Sequence, residues 1–532
     1  MSFKENNCQQ LSFTDSFSGL TAREQKALEK SWAKIFADEI FPFIDEKRFS
    51  VLYSDKASRP NAPVNVIIGA LVIKELFDYS DDEMVENLML DLHLQYALHT
   101  TSFAEQPLSD KTLSRFRKRC YDFEKLYNID LYHNCVKDLS SKIAKLMNVN
   151  GRIRRMDSMM IESNIRKLSR LELIYTCIAK LVTYLHESHP ENVPDELTHY
   201  YDPNDFNQFI YHQRSTDSEP RMQTLLNDAD RLINICGTEY ENITEFELFI
   251  RCISEQTIEE SSERRMRTKE DETMNSLALQ NPSDPEATFR KKANKEYRGY
   301  VANLEESVGK SGSVVTDYQY EQNIYSDSQF LKDHLDEMKK QDETVTIVTD
   351  GAYSGSDNQS LAKEKNVNLI TTGLSGREVP DIMADFEFNE EGTKVLHCPA
   401  GYEPKNCNYM KPSAQCRISF DRNHCVNCPY QSQCKPKVYK KVSVIITSKT
   451  ASDRAKTQRK IQSGEYNNYS RLRNGVETVP SNLRRNYHMD KMPRGKQRGK
   501  FFFGCKIIAL NFKKLFNYSK GLGNYALNPV IV

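Results

Sequence analysis

The chain has 532 residues, 28% charged and 39% hydrophobic, with a formal net charge of -1. That length implies more than one domain with ample core, and the balance excludes a disordered or fibrous chain. No apolar run approaches the roughly 18 residues that span a bilayer. The start, MSFKENNCQQ, lacks the apolar stretch of a secretory signal. A reducing cytoplasm is therefore expected, where the 13 cysteines stay unpaired or bind metal.

Residues 1–60 read as a polar N-terminal segment. Residues 61–148 read as helical, a candidate DNA-binding domain. Pro63 precedes the apolar run VNVIIGALVIKELF, and Ser80 with Glu83 makes a capping box at the next helix. Ser109 is the expected cap of DKTLSRFRKRCYDFEKLY. That helix is basic at Lys111, Arg115, Arg117, Lys118 and Arg119, which suits either a DNA-reading helix or a solvated face. A strand is expected over 150–162, ending near Asp157. From about 166 to 290 the chain reads as helical, with the charge run EESSERRMRTKEDE at 259–272 as a solvated helix surface.

Strand signals resume in YRGYVANLEESV and GSVVTDYQYEQ, which read as a pair. A helix capped by Ser326 or Asp327 follows. VTIVTD is a β-branched strand of the kind buried on both faces. SDNQSLAKEKN is a short helix and VNLITT another strand. Strands and helices in this alternation give an α/β sheet. Residues 376–448 read as a β-like, cysteine-rich segment, and a long basic helical region follows. From 451 onward there are 17 Lys or Arg against 4 Asp or Glu, which points to a polyanion. The run FFFGCKIIAL implies that this basic segment is folded.

Three carboxylates stand out. Asp350 ends a buried-type strand and precedes Gly-Ala-Tyr-Ser-Gly, where ligands gather in open α/β sheets; a simple Asp-Gly turn is the competing reading. Asp157 lies in RRMDSMMIESN, after a short predicted strand. Glu477 shares a predicted helix face with Tyr469, Arg473 and Arg484, with Pro480 expected to kink the helix. An Arg473–Glu477 ladder on that face is the alternative. Three converging carboxylates repel unless a cation neutralises them, and hard cations take carboxylate oxygens. Two Mg²⁺ (or Mn²⁺) ions so held can activate water and stabilise a leaving oxygen in phosphodiester cleavage. Arg473 and Arg484 would grip DNA phosphates, and Tyr469 a terminal phosphate.

With these residues, the chain resembles a bacterial insertion-sequence transposase of the DDE class. It is most similar to the insertion-sequence-four-like superfamily with the Tyr-Arg-Glu-Lys signature, in its eleven-eighty-two group. RMDSMMIESN resembles that group's first-Asp motif and VTDGAYSG its second. PLSDKTLSRFRKR resembles its N-terminal helical domain, DPEATFRKKANKEYRGYVAN its linking segment, and IALNFKKL its Asn-containing C-terminal helix. Two departures stand out. Three residues rather than two separate Tyr469 from Arg473, and Arg484 stands where the family has Lys.

The resemblance implies a ribonuclease-H-like catalytic domain over 149–490. A helical insertion at 166–285 and a cysteine-rich β insertion at 376–448 would interrupt it, and 491–532 would follow as a basic C-terminal segment. It also implies double-stranded DNA partners (transposon ends and target), a homodimer on paired ends, no membrane partner, and a nucleoid-associated protein. Asp157, Asp350 and Glu477 would be the catalytic Mg²⁺ ligands. A DNA-binding regulator without chemistry and a plain metal-dependent nuclease are the alternatives.

Six cysteines fall between Cys398 and Cys434. Cys425-Val-Asn-Cys428 is a turn that presents two thiolates to one tetrahedral Zn²⁺. Cys434 is the expected third ligand and Cys398 or Cys416 the fourth, with His424 and His397 as alternatives. Four protein ligands leave no open position, so such a zinc would be structural. Reduced thiols in a small β subdomain are the competing reading.

Overall fold

The computed structural model describes residues 1–6, 17, 19–56, 58–100, 108–109, 111–212, 218–260, 263–268, 270–271, 275–292, 294–374, 378–489 and 492–521. Residues 522–532 of the expected C-terminal segment lie outside the described residues.

A six-stranded sheet organises the chain. Its strands are β1 (Ile153–Glu162), β2 (Thr288–Lys292), β3 (Lys295–Gly309), β4 (Gly312–Gln322), β5 (Val345–Thr349) and β6 (Val367–Thr371). From one edge the order is β4, β3, β1, β5, β6, with β2 paired to the start of β3. β3 is antiparallel to both β4 and β1, whereas β1, β5 and β6 run parallel. The architecture is mixed α/β. Val345 and Ile347 pack on one face of the sheet and Val348 on the other, as a β-branched central strand should. Helices Asp327–Glu337, capped by Ser326, and Ser356–Glu364 cover the first face.

The opposite face is shared. Leu131–Leu146, the apolar helix Val64–Phe77, strands β1, β3 and β4, and the helix Lys496–Ser519 contribute to one core. Phe36, Ile40, Phe41 and Phe49 join the same core, so the N-terminal 60 residues are not merely a polar lead-in. Lys496–Ser519 lies very close to β4. A Cβ at Gly499 would sit 2.4 Å from the Tyr320 hydroxyl, and one at Gly504 2.4 Å from that of Tyr318. Asn511 accepts from the Val315 amide (3.0 Å) and donates to the Val315 carbonyl (2.7 Å), so a side-chain amide pairs the edge of β4. Several of its lysines are internal: Lys500 pairs with Asp130 and Lys506 with Glu75. Much of the basic charge of this segment is therefore neutralised inside the protein.

Two further segments stand on cores of their own. Helices Arg170–Ser188, Ser218–Cys236 and Thr244–Gln256 bury one cluster. Strands Asn406–Met410, Gln415–Asp421, Val442–Thr447 and Lys437–Val438 form a four-stranded sheet over another. No helix of the described residues is long and apolar enough to cross a membrane.

Three local expectations are corrected. β1 does not end near Asp157 but continues to Glu162, because β3 pairs with it throughout; only the pairing with β5 stops, at Arg155. The run at 259–272 is not a helix surface. Thr257–Glu260 and Glu263–Met266 form a hairpin, in which Arg265 bonds Glu260 and Asp271 and Arg264 bonds Asp230. Charges there pair across strands and to a neighbouring helix; residues 261, 262, 269 and 272 lie outside the described residues. Ser109 does not cap the basic helix, which runs Thr112–Tyr127 behind Lys111; its hydroxyl meets the Thr112 hydroxyl instead. Pro107 and Asp110 lie outside the described residues. Arg117 of that helix is buried on Asp81 beneath the Phe502 ring, so it is structural. The capping box of Ser80 and Glu83 forms as expected.

A buried ion triad ties the shared face together. Arg155 on β1 stands opposite Glu306 on β3 and donates to it through Nε (2.7 Å). Lys514 donates to the other Glu306 oxygen (2.7 Å). Burial raises the Glu306 pKa, but Lys514 and Arg155 overcome it and hold the group at about 2, against an ordinary 4.5. Folding depresses this pKa, so its stabilisation is full above about 4.5 and is lost as pH falls toward 2. Glu306→Gln is expected to cost about 3–5 kcal/mol at pH 7, since it leaves two buried cations underpartnered. The gap between wild type and variant should shrink below pH 4.5. Urea unfolding at pH 7 and pH 3.5 measures this; a pH-independent gap contradicts the assignment.

Candidate functional site

The site is set by strand register. Arg155 pairs with Val348 across the parallel β1–β5 ladder. Two residues on from each stand Asp157, still in β1, and Asp350, the first residue past β5, so the two carboxylates emerge where that ladder ends. Asp350 begins a 3-10 turn, and its Oδ1 accepts from the Ala352 amide (2.8 Å). Tyr353 anchors that turn from below: its buried hydroxyl donates to Asn303 Oδ1 on β3 (2.6 Å). Asn358 adds a bond to the Tyr353 carbonyl (3.0 Å).

Glu477 arrives from a helical segment laid on the same face as Arg155. Helix Asn467–Asn474 gives way to a 3-10 turn at Gly475–Glu477, then helix Thr478–Asn486 resumes. The expected single helix face for Tyr469, Arg473, Glu477 and Arg484 is thus interrupted, and one turn earlier than a kink at Pro480 itself. Pro480 supplies no N–H to the carbonyl four residues back, so the turn before it tightens, while proline is tolerated in the first turn of the helix that follows.

Arg473 is the centre of the site. Its Nη1 donates to Glu477 Oε1 (2.8 Å), and its Nη2 lies 3.5 Å from Asp157 Oδ1 and 3.6 Å from Asp350 Oδ2. One guanidinium therefore touches all three predicted carboxylates. Their side chains grade from 14% exposed at Asp157 through 37% at Asp350 to 62% at Glu477, so the cluster opens toward solvent on the Glu477 side. Burial pushes the Asp157 carboxyl up to about 6; Arg473 opposes this and the nearby Asp350 charge adds to it.

Two segments of the chain match known families. Residues 397–516 match a transposase DDE domain, and residues 24–119 match a transposase domain (DUF772). Both matches indicate a transposase of the DDE type. The first takes in the cysteine-rich sheet, Arg473, Glu477 and most of the helix Lys496–Ser519. Neither covers Asp157 or Asp350. No curated protein and no solved structure matches the chain.

The remaining predicted residues fall in different places. Tyr469 packs its ring against Val308, Val348 and Leu472 and meets Tyr466 edge-on. Arg484 is exposed on the next helix and makes no ion pair among the described residues. Cys398, Cys425, Cys428 and Cys434 line one small cavity of about 20 Å³, with His424 stacked on Tyr402 at its wall. Cys416 lies elsewhere, fully buried, with its thiol near the Thr393 carbonyl (3.4 Å). His397 pairs with Glu387. Sequence reasoning missed Arg155, Asn303 and Tyr353. A signal existed for Asn303, a polar residue between the apolar, buried Ala302 and Leu304; Arg155, beside Arg154, carried none.

Arg473→Gln removes the cation that holds the Asp157 pKa down. The Asp157 carboxyl is then expected to titrate above its present value near 6. Difference infrared titration against Asp157→Asn reads this midpoint; an unmoved or lower midpoint contradicts the geometry.

Proposed function

We propose that this chain is a DNA transposase that binds the terminal inverted repeats of its own insertion sequence and carries out metal-dependent strand cleavage and strand transfer. The observation that supports it is the convergence of Asp157, Asp350 and Glu477 on the Arg473 guanidinium. The sheet order, with one antiparallel hairpin beside three parallel strands, supports reading the catalytic domain as ribonuclease-H-like. Helices over 170–256 and the cysteine-rich sheet are then insertions between its carboxylates.

The donor set suits Mg²⁺ or Mn²⁺. Three carboxylates supply the hard oxygens such ions take, and an acid pushed up to about 6 beside another carboxylate is one that a cation would ionise. Among the described residues no three His, Cys, Asp or Glu side chains yet form a metal-holding group. Arg473 stands where the positive charge is needed. Asp157, Asp350 and Glu477 would hold the ions, which when bound supply an activated water and neutralise the leaving oxygen. Arg473, displaced from the carboxylates, is placed to take a phosphate of the cleaved strand as a bidentate donor. Arg484, exposed on the following helix, extends that grip, and Tyr469 borders it. Double-stranded DNA is the partner, and a homodimer would pair the two ends.

The test is a supercoiled plasmid carrying the gene with its native flanks, incubated with the protein and Mg²⁺. Breaks with free 3′-hydroxyls at paired inverted repeats are expected, and Asp350→Ala should abolish them while leaving DNA binding. Scattered breaks would support a plain nuclease instead. Binding without any break would support a regulator.

For the cysteine-rich insertion the proposal is one structural Zn²⁺ held by Cys398, Cys425, Cys428 and Cys434, the four thiols around one cavity. Cys416 shares a sheet face with the cavity-lining Phe420 but sits four residues back along the strand and does not line the cavity, so it is left out. The thiols must close on the ion to reach its tetrahedral distances. One zinc per chain is expected by elemental analysis, lost in Cys428→Ser and retained in Cys416→Ser. Equal zinc in both variants would overturn this ligand set.

A further inference from the structure

The buried guanidinium of Arg155 makes a contact that the ion triad does not require. Besides Glu306, it donates through Nη1 to the main-chain carbonyl of Leu472 (2.6 Å). Leu472 is the residue before Arg473, in the last turn of helix Asn467–Asn474. Carbonyls of a last turn lack helical partners, and a cation there is favoured. Here the Gly475 amide is shared among the carbonyls of Arg471, Leu472 and Arg473, so the Leu472 carbonyl keeps capacity for the Arg155 bond.

Geometry makes the contact a positioning one. Arg155 and Asp157 are i and i+2 on β1, so they share a face and lie roughly 6.6 Å apart along the strand. Asp157 meets the Arg473 guanidinium, while Arg155 holds the backbone one residue before it. The Leu472 side chain, buried against Val308 and Val348, fixes the same point from its apolar side. Arg155 is itself held rigidly: its side chain is 2% exposed, its partner Glu306 is 0% exposed, and Lys514 and Ser313 satisfy the rest of that carboxylate.

We propose that Arg155 is a positioning residue that sets the distance of Arg473 and Glu477 from Asp157 and Asp350, through the Leu472 carbonyl. This rests on the transposase reading for its catalytic consequence, but not for its structural one. Lysine at 155 keeps the charge beside Glu306 yet, with a single point of donation, cannot serve both Glu306 and the Leu472 carbonyl in the way a planar fork does.

The experiment uses the full-length protein with Arg155→Lys, and Lys506→Met as a control that breaks a different buried pair (with Glu75) on the helix Lys496–Ser519. Hydrogen exchange read by mass spectrometry should rise in Arg155→Lys over residues 467–477 and stay at the wild-type level over 350–358. Strand cleavage should fall roughly 10²-fold, the loss expected of a displacement near 1 Å, with transposon-end affinity unchanged. Lys506→Met should leave both readouts as in wild type, even at a lower melting temperature. Unchanged exchange over 467–477 in Arg155→Lys would overturn the proposal, as would cleavage losses that follow melting temperature in both variants. If wild type cuts no DNA, the transposase reading fails, and exchange alone still decides the role of Arg155.

Discussion

Three carboxylates at the end of one sheet repel each other, and the surrounding structure serves to hold them near a single positive charge. Without a cation the cluster is unfavourable: Asp157 already sits near pH 6 because burial and its neighbour Asp350 disfavour its charge. Arg473 relieves that repulsion from the centre. Every further device, from the Tyr353–Asn303 bond to the Arg155 contact, acts by fixing one of the three segments that meet there.

These segments are distant in the chain: 193 residues separate Asp157 from Asp350, and 127 separate Asp350 from Glu477. Loop closure over such spans depends only weakly on length. Intervening segments that carry their own cores therefore perturb the site little, provided their ends return to neighbouring elements. Both segments with their own cores meet that condition, since the helical one bridges β1 to β2 and the cysteine-rich one lies between β6 and the Arg473 helix.

Much of this was legible in the sequence, for reasons that differ by residue. Asp350 announced itself through a β-branched run followed by small residues, because both features answer to local rules. The Ser80 capping box and the strand pair around residue 310 were equally local. Asp157 was found as a residue but misplaced at a strand end, since periodicity cannot say which of two neighbours stops pairing first. The helical segment bearing Glu477 was legible, while its 3-10 turn follows from the N–H that Pro480 lacks, acting one turn upstream. Arg155 stayed hidden because a buried arginine in a strand is explained only by partners 151 and 317 residues away. The charge run at 259–272 misled because like composition serves hairpins and helices alike.

The pairing of Asn511 with Val315 has a consequence for assembly. Strand β4 is the edge of the sheet, and on that side a side chain rather than another strand meets its backbone. The helix that supplies Asn511 and Lys514 follows all three carboxylates in the chain. A sheet formed before that helix docks would have an open edge, with Glu306 lacking one of its cations. The same helix that completes the core also removes a docking edge for stray strands, so correct closure and protection from aggregation are one event.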